Sequence, residues 1–184
     1  MTNELTMTAN SRLEFACGRV LPGEEKWMAE DYFGTMGATM AAHGFERLVG
    51  AGVLETNVVG MSPVMAVFCA WPSAAHRAAF LAEPGFVAIK PERDKRLDMS
   101  DGHLFEPIDE IISLSTESDY AIVLAEEANT PKDPIFALPL AADSHEQTFD
   151  AKFVSLLPWG NAADDLIKLD PETATVFRVR FEGA

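Results

Sequence analysis

Basic residues and cysteines are scarce in this sequence, and each shortage excludes a class of function. Lys and Arg together number 14 against 29 Asp and Glu, which gives a formal net charge of −15. Nucleic acids and anionic membrane surfaces both attract basic protein surfaces, so we predict neither as a partner. The two cysteines, Cys17 and Cys69, are too few for a disulfide framework or a cysteine-based zinc site.

Long apolar runs and catalytic signatures are missing as well. No apolar run is long enough to span a bilayer, and the N-terminus has neither the basic start nor the apolar centre of a signal peptide. We therefore predict a cytoplasmic protein with residues 1–10 as a disordered tail. The sequence contains no phosphate-binding glycine loop, no G-x-S-x-G and no H-E-x-x-H, so we predict no cofactor and no metal site.

Hydrophobic residues make up 48% of the chain, which is ample for a core, and residues 64–108 organise it. This stretch begins with V-M-A-V-F-C-A-W, a short apolar run that is typical of a strand buried on both faces. Ser73 is placed to cap the helix that follows. Pro84 interrupts that helix, and another strand is predicted around His103.

The segment before this stretch predicts a strand, a helix and a second strand. Residues 12–21 alternate in a pattern typical of a strand. A helix begins at Glu24 and ends at His43, where Gly44 suits a left-handed cap. Residues 45–59 are predicted as a long strand with a bulge at its glycines. The resulting order, β-α-β-β-α-β, is that of a ferredoxin-like plait with both helices on one face of the sheet.

The other face of this sheet must also be covered, because the strand at 64–71 is apolar on both sides. The cover is either a second subunit or the rest of the chain, where strands are predicted at 119–126, 135–141, 151–157 and 175–181. Trp159 follows its strand as Trp71 does, and a helix follows each, which indicates a degenerate internal repeat. We therefore predict an α+β fold. Residues 11–112 form a ferredoxin-like repeat, residues 113–184 form a degenerate, β-rich second plait, and the sheets pack as an α/β barrel.

The runs A-A-H-G-F-E-R-L-V-G-A-G-V-L, V-M-A-V-F-C-A-W-P-S and K-P-E-R-D-K-R resemble a group of short bacterial proteins of unknown function. That group belongs to the dimeric α/β-barrel superfamily and is similar to NIPSNAP-type domains. The resemblance covers residues 13–108 and implies an open sheet face that closes against a second plait, as in a homodimer. It implies no catalytic residue. Other branches of the superfamily bind haem, oxidise small aromatic molecules without a cofactor or isomerise lactones, and the resemblance selects none of them.

Candidate functional residues follow from the predicted barrel. Ligand pockets are mostly apolar with a few polar groups, so the predicted wall consists of Phe15, Cys17, Met36, Met65, Val67, Trp71, His103 and Phe105. His103 is the candidate general base or haem ligand, and the alternative is a core histidine satisfied by a backbone carbonyl. If the strands at 12–21 and 64–71 are neighbours, Cys17 and Cys69 lie close on one face, as an inert pair or as a redox pair.

Three functions are consistent with these features. The first is binding of a small apolar or aromatic molecule inside the barrel, by a binding protein or a cofactor-independent enzyme, and it predicts an internal cavity. The second is a non-catalytic assembly module, which predicts a packed interior and an apolar dimer interface. The third is haem binding through His103.

Overall fold

The computed structural model of the chain describes residues 4–99, 102–127, 133–144, 149–160 and 163–182. The first half of the chain contains β1 (Glu4–Ala9), β2 (Arg12–Val20), α1 (Glu25–Trp27), a π-helix (Met28–Phe33), α2 (Gly34–Ala42), β3 (Glu46–Thr56), β4 (Met65–Trp71), α3 (Ala74–Leu81), α4 (Pro84–Asp94), β5 (Leu97–Met99), β6 (His103–Phe105) and β7 (Ile108–Ser115). The second half contains β8 (Asp119–Ala125), β9 (Phe136–Pro139), β10 (Phe153–Pro158), α5 (Ala163–Leu166) and β11 (Ala174–Phe181). The four strands predicted for the second half are all present.

Local signals in the sequence set several of these boundaries. The Ser73 hydroxyl accepts a hydrogen bond from the His76 backbone N–H at 3.4 Å and so caps α3. Pro84 is the first residue of α4, where its missing N–H leaves no helical bond unmade. Gly44 follows α2 with φ +79°, and a Cβ there would lie 2.5 Å from Pro72 Cγ, so this turn requires glycine. These observations confirm the predicted cap, break and turn.

Both halves of the chain arrange their strands in the same order. In the first half β6 and β5 share one edge of β2, and the order continues through β4 to β3. In the second half the order is β11-β8-β10-β9. When the strands of each half are numbered along the chain, both halves have the order fourth, first, third, second. This is the strand order of a ferredoxin-like plait, and it confirms the predicted second, degenerate plait.

The two plaits join into one barrel within a single chain. On one side β3 pairs with β11. On the other side β6 meets the end of β9 through a bridge between Phe105 and Leu140. There the Glu106 N–H donates to the Pro139 carbonyl at 3.0 Å, and the Ala141 N–H donates to the Leu104 carbonyl at 2.8 Å. The sheet therefore closes on itself, and the open face of the first plait is covered by the rest of the chain.

Strand register decides which side chains face the barrel interior. Phe15 on β2 lies opposite Phe68 on β4, and both are fully buried in the interior. The next residue along β2, Ala16, points outward toward the helices, and so does Val67, which lies opposite it on β4. The apolar residues on the two faces of β4 therefore fill two different cores, one inside the barrel and one under the helices.

Two segments differ from the sequence-based predictions. Residues 4–9 were predicted to belong to a disordered tail, but they form β1, which pairs with β7 and buries Met7 against the barrel core. The reason is a long-range partner that local sequence does not reveal, since β7 lies about 100 residues further on. β3 has two irregularities, one between Arg47 and Val49 in its pairing with β4 and one between Val53 and Glu55 in its pairing with β11, so they flank Gly50 and Gly52 rather than lying at them. The division of the chain at residue 112 remains a prediction, and β7 spans it.

Helices cover the outside of the two plaits unequally. The first plait carries α1, the π-helix, α2, α3 and α4 against its outer face. In the part of the second plait that the structure describes, the helical cover is the four-residue α5, and Trp159, Leu166 and Leu169 pack on that outer face. Among the described residues there is no helix of the length and apolar character needed to cross a membrane.

Candidate functional site

A cleft lies between the outer face of the first plait and its helices. Its floor consists of Met65, Val67 and Cys69, the outward-facing residues of β4. Its roof comes from the π-helix and α2, which contribute Phe33 and Met40. The cleft has two adjoining lobes of about 510 and 430 Å³, and both share this floor and roof. Each lobe is within the size range of small-molecule pockets.

The first lobe is almost entirely apolar. Val20, Met28, Ala41 and Leu97 contribute to its walls, and Arg47 and Glu182 are the charged residues that line it. Gly37 on α2 also lines it, and a Cβ at Gly37 would meet no atom within 4 Å. This glycine therefore leaves open space on the side of the helix that lines the lobe.

A buried ion pair lies at the end of the second lobe. Glu14 on β2 is 9% exposed, and its carboxylate accepts hydrogen bonds from Arg77 Nε at 2.8 Å and from Trp71 Nε1 at 2.6 Å. Gly102 passes directly over this carboxylate, because a Cβ there would lie 1.8 Å from Glu14 Oε1. Such charge-assisted bonds fix the carboxylate in place, so the lobe ends in a rigid polar group.

A second polar group sits beneath the π-helix. Tyr32 is 4% exposed, and the Arg93 guanidinium lies 5.8 Å from the centre of its ring and 5.3 Å from that of Phe86. Arg93 Nη2 also donates to Asp94 Oδ1 at 2.7 Å. Burial raises the pKa of Tyr32, and the hydrogen bond from Arg93 only partly opposes it. Tyr32 therefore presents a neutral hydroxyl at neutral pH.

The two cysteines lie on opposite faces of the sheet. Cys17 pairs with Ala66 and faces the barrel interior, whereas Cys69 pairs with Glu14 and faces the cleft. The predicted closeness of the two thiols is therefore wrong, and with it the redox pair. Burial raises the pKa of Cys69 well above its ordinary value, and the Glu14 carboxylate raises it further. The cleft thiol is accordingly protonated and a poor nucleophile.

The predicted pocket residues divide between the two cores. Met65, Val67 and Trp71 line the cleft, and Met36 is buried among the helices above it. The other four face the barrel interior, where they are packed rather than arranged around a cavity: Phe15, Cys17, His103 and Phe105. A barrel of about eight strands has room either for its own side chains or for one small ligand, and here buried side chains fill the interior.

His103 shows how tightly the interior is filled. It is 0% exposed, and its ring stacks between Phe105 and Phe149 with centroid distances of 6.2 and 5.7 Å. Its Nε2 lies 3.2 Å from the backbone nitrogen of Phe149, which donates to it, and equally far from the Phe149 carbonyl. This burial is what the core-histidine alternative predicts, although the backbone group that donates to Nε2 is an N–H. A haem would have to displace both aromatic rings to reach it, so the geometry does not favour the haem hypothesis.

Sequence reasoning missed the polar groups of the cleft. Glu14 carried a usable signal, because a carboxylate in the middle of an otherwise apolar strand requires a partner when that strand is buried. Arg77 and Tyr32 carried none, since their approach to the cleft depends on the packing of helices against the sheet. No cluster of three metal-ligating side chains occurs within the described ranges.

The fold and the cleft together define an α+β barrel protein with a helix-covered, largely apolar cleft. No protein-family model matches the chain, and no curated protein matches it. Among solved structures, it is similar to the crystal structure of an anthrone oxidase-like protein, with a TM-score of 0.52, 12% sequence identity and coverage of 97% of both chains. At that identity the likeness shows the fold alone, and it agrees with the predicted α+β fold with sheets packed as an α/β barrel.

Proposed function

We propose that this protein binds a small, largely apolar molecule with an aromatic or extended body in the cleft between β4 and the helices. The observation that carries the proposal is the open floor at Met65 and Val67. Met65 remains 38% exposed although helices pass above it, and the lobe over it measures about 510 Å³. The few convergent polar groups, with Glu14 at their centre, match the composition of ligand pockets. The site thus moves from the barrel interior, where the sequence predicted it, to the outer face.

Filling the cleft without damaging the fold tests this proposal. Gly37→Leu projects a side chain into the first lobe, and the change favours the helix by up to about 1 kcal/mol. Gly34→Leu is the matched control, because Gly34 begins the same helix but is exposed and lines neither lobe. Nile red, a neutral aromatic dye, is the probe, and its fluorescence is titrated with each protein.

We expect the unmodified protein and Gly34→Leu to bind Nile red with equal affinity. Gly37→Leu should bind it at least about tenfold more weakly, since a tenfold loss needs only about 1.4 kcal/mol. Melting temperatures establish that both variants are folded. Equal binding by Gly37→Leu, or no binding by the unmodified protein, would show that the cleft is not a ligand site.

Oxidation of the bound aromatic without a cofactor is a second candidate function. It is favoured by the description of the structural neighbour as an anthrone oxidase-like protein, together with the buried carboxylate of Glu14, which lines the second lobe of the cleft. In such a reaction O₂ is the oxidant, and anthrone plus O₂ gives anthraquinone plus water. Oxygen consumption by the purified protein with anthrone, compared with Gly37→Leu, tests it. A rate equal to that of anthrone alone would end this candidate.

A non-catalytic assembly role is supported by the packed barrel interior and by exposed apolar residues such as Leu54, Val59 and Val64. Sedimentation equilibrium tests it, and a monomer at micromolar concentration would contradict both this role and the predicted homodimer. Since one chain covers its own sheet, a second copy is not needed to close the barrel. The cytoplasmic location and the NIPSNAP-like relationship stay predictions.

A further inference from the structure

Three of the four cations that line the cleft in the described part of the chain have carboxylate partners. Arg77 is paired with Glu14, while Lys90 and Arg93 are both paired with Asp94. The fourth is Arg47, at the far end of the first lobe. No hydrogen bond or ion pair involves its guanidinium among the described residues, so its charge is not neutralised by a neighbouring carboxylate.

Arg47 is an exposed residue whose guanidinium extends over Gly50 on the same strand. Arg47 lies opposite Cys69 in the pairing of β3 with β4, so both side chains are on the face that forms the cleft. A Cβ at Gly50 would lie only 2.1 Å from Arg47 Nη2. Any side chain at position 50 would therefore push the guanidinium away, and glycine leaves it lying along the strand beside the apolar floor.

One carboxylate, Glu182, lines the same lobe. Its backbone N–H donates to the Gly50 carbonyl at 2.9 Å, and its Oε1 lies near Gly52, 3.7 Å from a Cβ built there. It forms no ion pair with Arg47 within the residues described. Its negative charge disfavours a ligand group that carries two charges, such as a phosphate, more than it disfavours a singly charged one.

We propose that the ligand of the cleft is an amphipathic monocarboxylic acid, and that Arg47 binds its carboxylate. The planar guanidinium suits a bidentate pair with a carboxylate. The apolar body of the acid then lies over Met65, Val67 and Cys69 and extends toward the second lobe. This inference rests on the proposed function, because it names the chemical class of the molecule that the cleft binds.

Matched acids and esters test the role of the charge. The probes are 2-naphthoic acid with methyl 2-naphthoate and decanoic acid with methyl decanoate, each titrated as a competitor of Nile red. In the unmodified protein each acid should displace the dye about tenfold better than its ester, the difference expected from one charge-assisted pair. Arg47→Gln should abolish this preference, so that each acid and its ester displace the dye equally well.

Arg180→Gln is the control, because it makes the same substitution and the same change of net charge on the outer face of the second plait, where Arg180 pairs with Asp119. It should retain the preference for acids. If Nile red and the esters bind and Gly37→Leu blocks them, but acids bind no better, the proposed function stands and the inference is wrong. Equal loss in Arg47→Gln and Arg180→Gln would also overturn it. If no probe binds, both proposals fail.

Discussion

Replacing Phe15 with alanine should be among the most damaging single changes in this protein. Phe15 is 0% exposed at the centre of the barrel, and its ring lies 5.4 Å from Phe68 and 5.5 Å from Phe177, measured between centroids. Each of those rings comes from a different plait, so the alanine leaves a cavity where the two halves meet. Large-to-small changes of this kind lower the free energy of unfolding by about 3–5 kcal/mol. For a chain of this size, that corresponds to a fall in melting temperature of roughly 6–20 °C.

Val67→Ala is the matched comparison on the other face of the sheet. Val67 is half-buried and borders the cleft, so its loss removes few packing contacts and should lower the free energy of unfolding by only about 1 kcal/mol. Urea unfolding monitored by circular dichroism measures the free energy of unfolding of both variants. An unchanged m-value establishes that these free energies can be compared.

The pair of variants also separates the two possible ligand sites. Phe15→Ala should bind Nile red as the unmodified protein does, because the barrel interior is not the proposed site. If Phe15→Ala costs no more stability than Val67→Ala, the interior is not packed as described. A loss of dye binding in folded Phe15→Ala would return the ligand site to the barrel interior.

Two further changes test polar contacts of β11, one with the first plait and one within the second. Asn57 donates to two backbone carbonyls and accepts from the Val176 N–H at 2.7 Å, so Asn57→Ala should lower the free energy of unfolding by about 2–4 kcal/mol in urea. Burial raises the pKa of Asp119, but the hydrogen bonds from Arg178 and Arg180 lower it by more. The net pKa is therefore below the ordinary value of 3.8. The ion pairs therefore stabilise the fold above about pH 4, and this contribution is lost as pH falls through the folded pKa. Asp119→Asn should be less stable than the unmodified protein at pH 7, and the difference should shrink as the pH falls below about 4.

Each of these expectations has a contrary result. An Asn57→Ala variant within 0.5 kcal/mol of the unmodified protein, roughly the range of neutral surface changes, would show that water replaces all three hydrogen bonds. A stability difference for Asp119→Asn that stays constant between pH 7 and pH 2 would show that the effect is not due to the charge of the carboxylate. Unfolding curves at each pH measure it.

Local sequence accounts for the elements and the general architecture. The alternation of apolar residues predicted β2, β4 and the four strands of the second plait, and Ser73, Pro84 and Gly44 placed three helix boundaries. These features depend on interactions between residues close together in the chain, namely side-chain capping, the missing proline N–H and the freedom of glycine at positive φ. The apolar character of both faces of β4 was also sufficient to require a second covering layer.

The location of the site depended on contacts between distant segments. A one-residue change of register exchanges the two faces of a strand, so whether Phe15 or Ala16 faces the cleft is decided by pairing with β4 and not by the sequence of β2. The same pairing separated Cys17 from Cys69. The cleft itself exists because the helices stand away from the sheet over Met65, and a space between packed elements leaves no pattern in the sequence of any one of them.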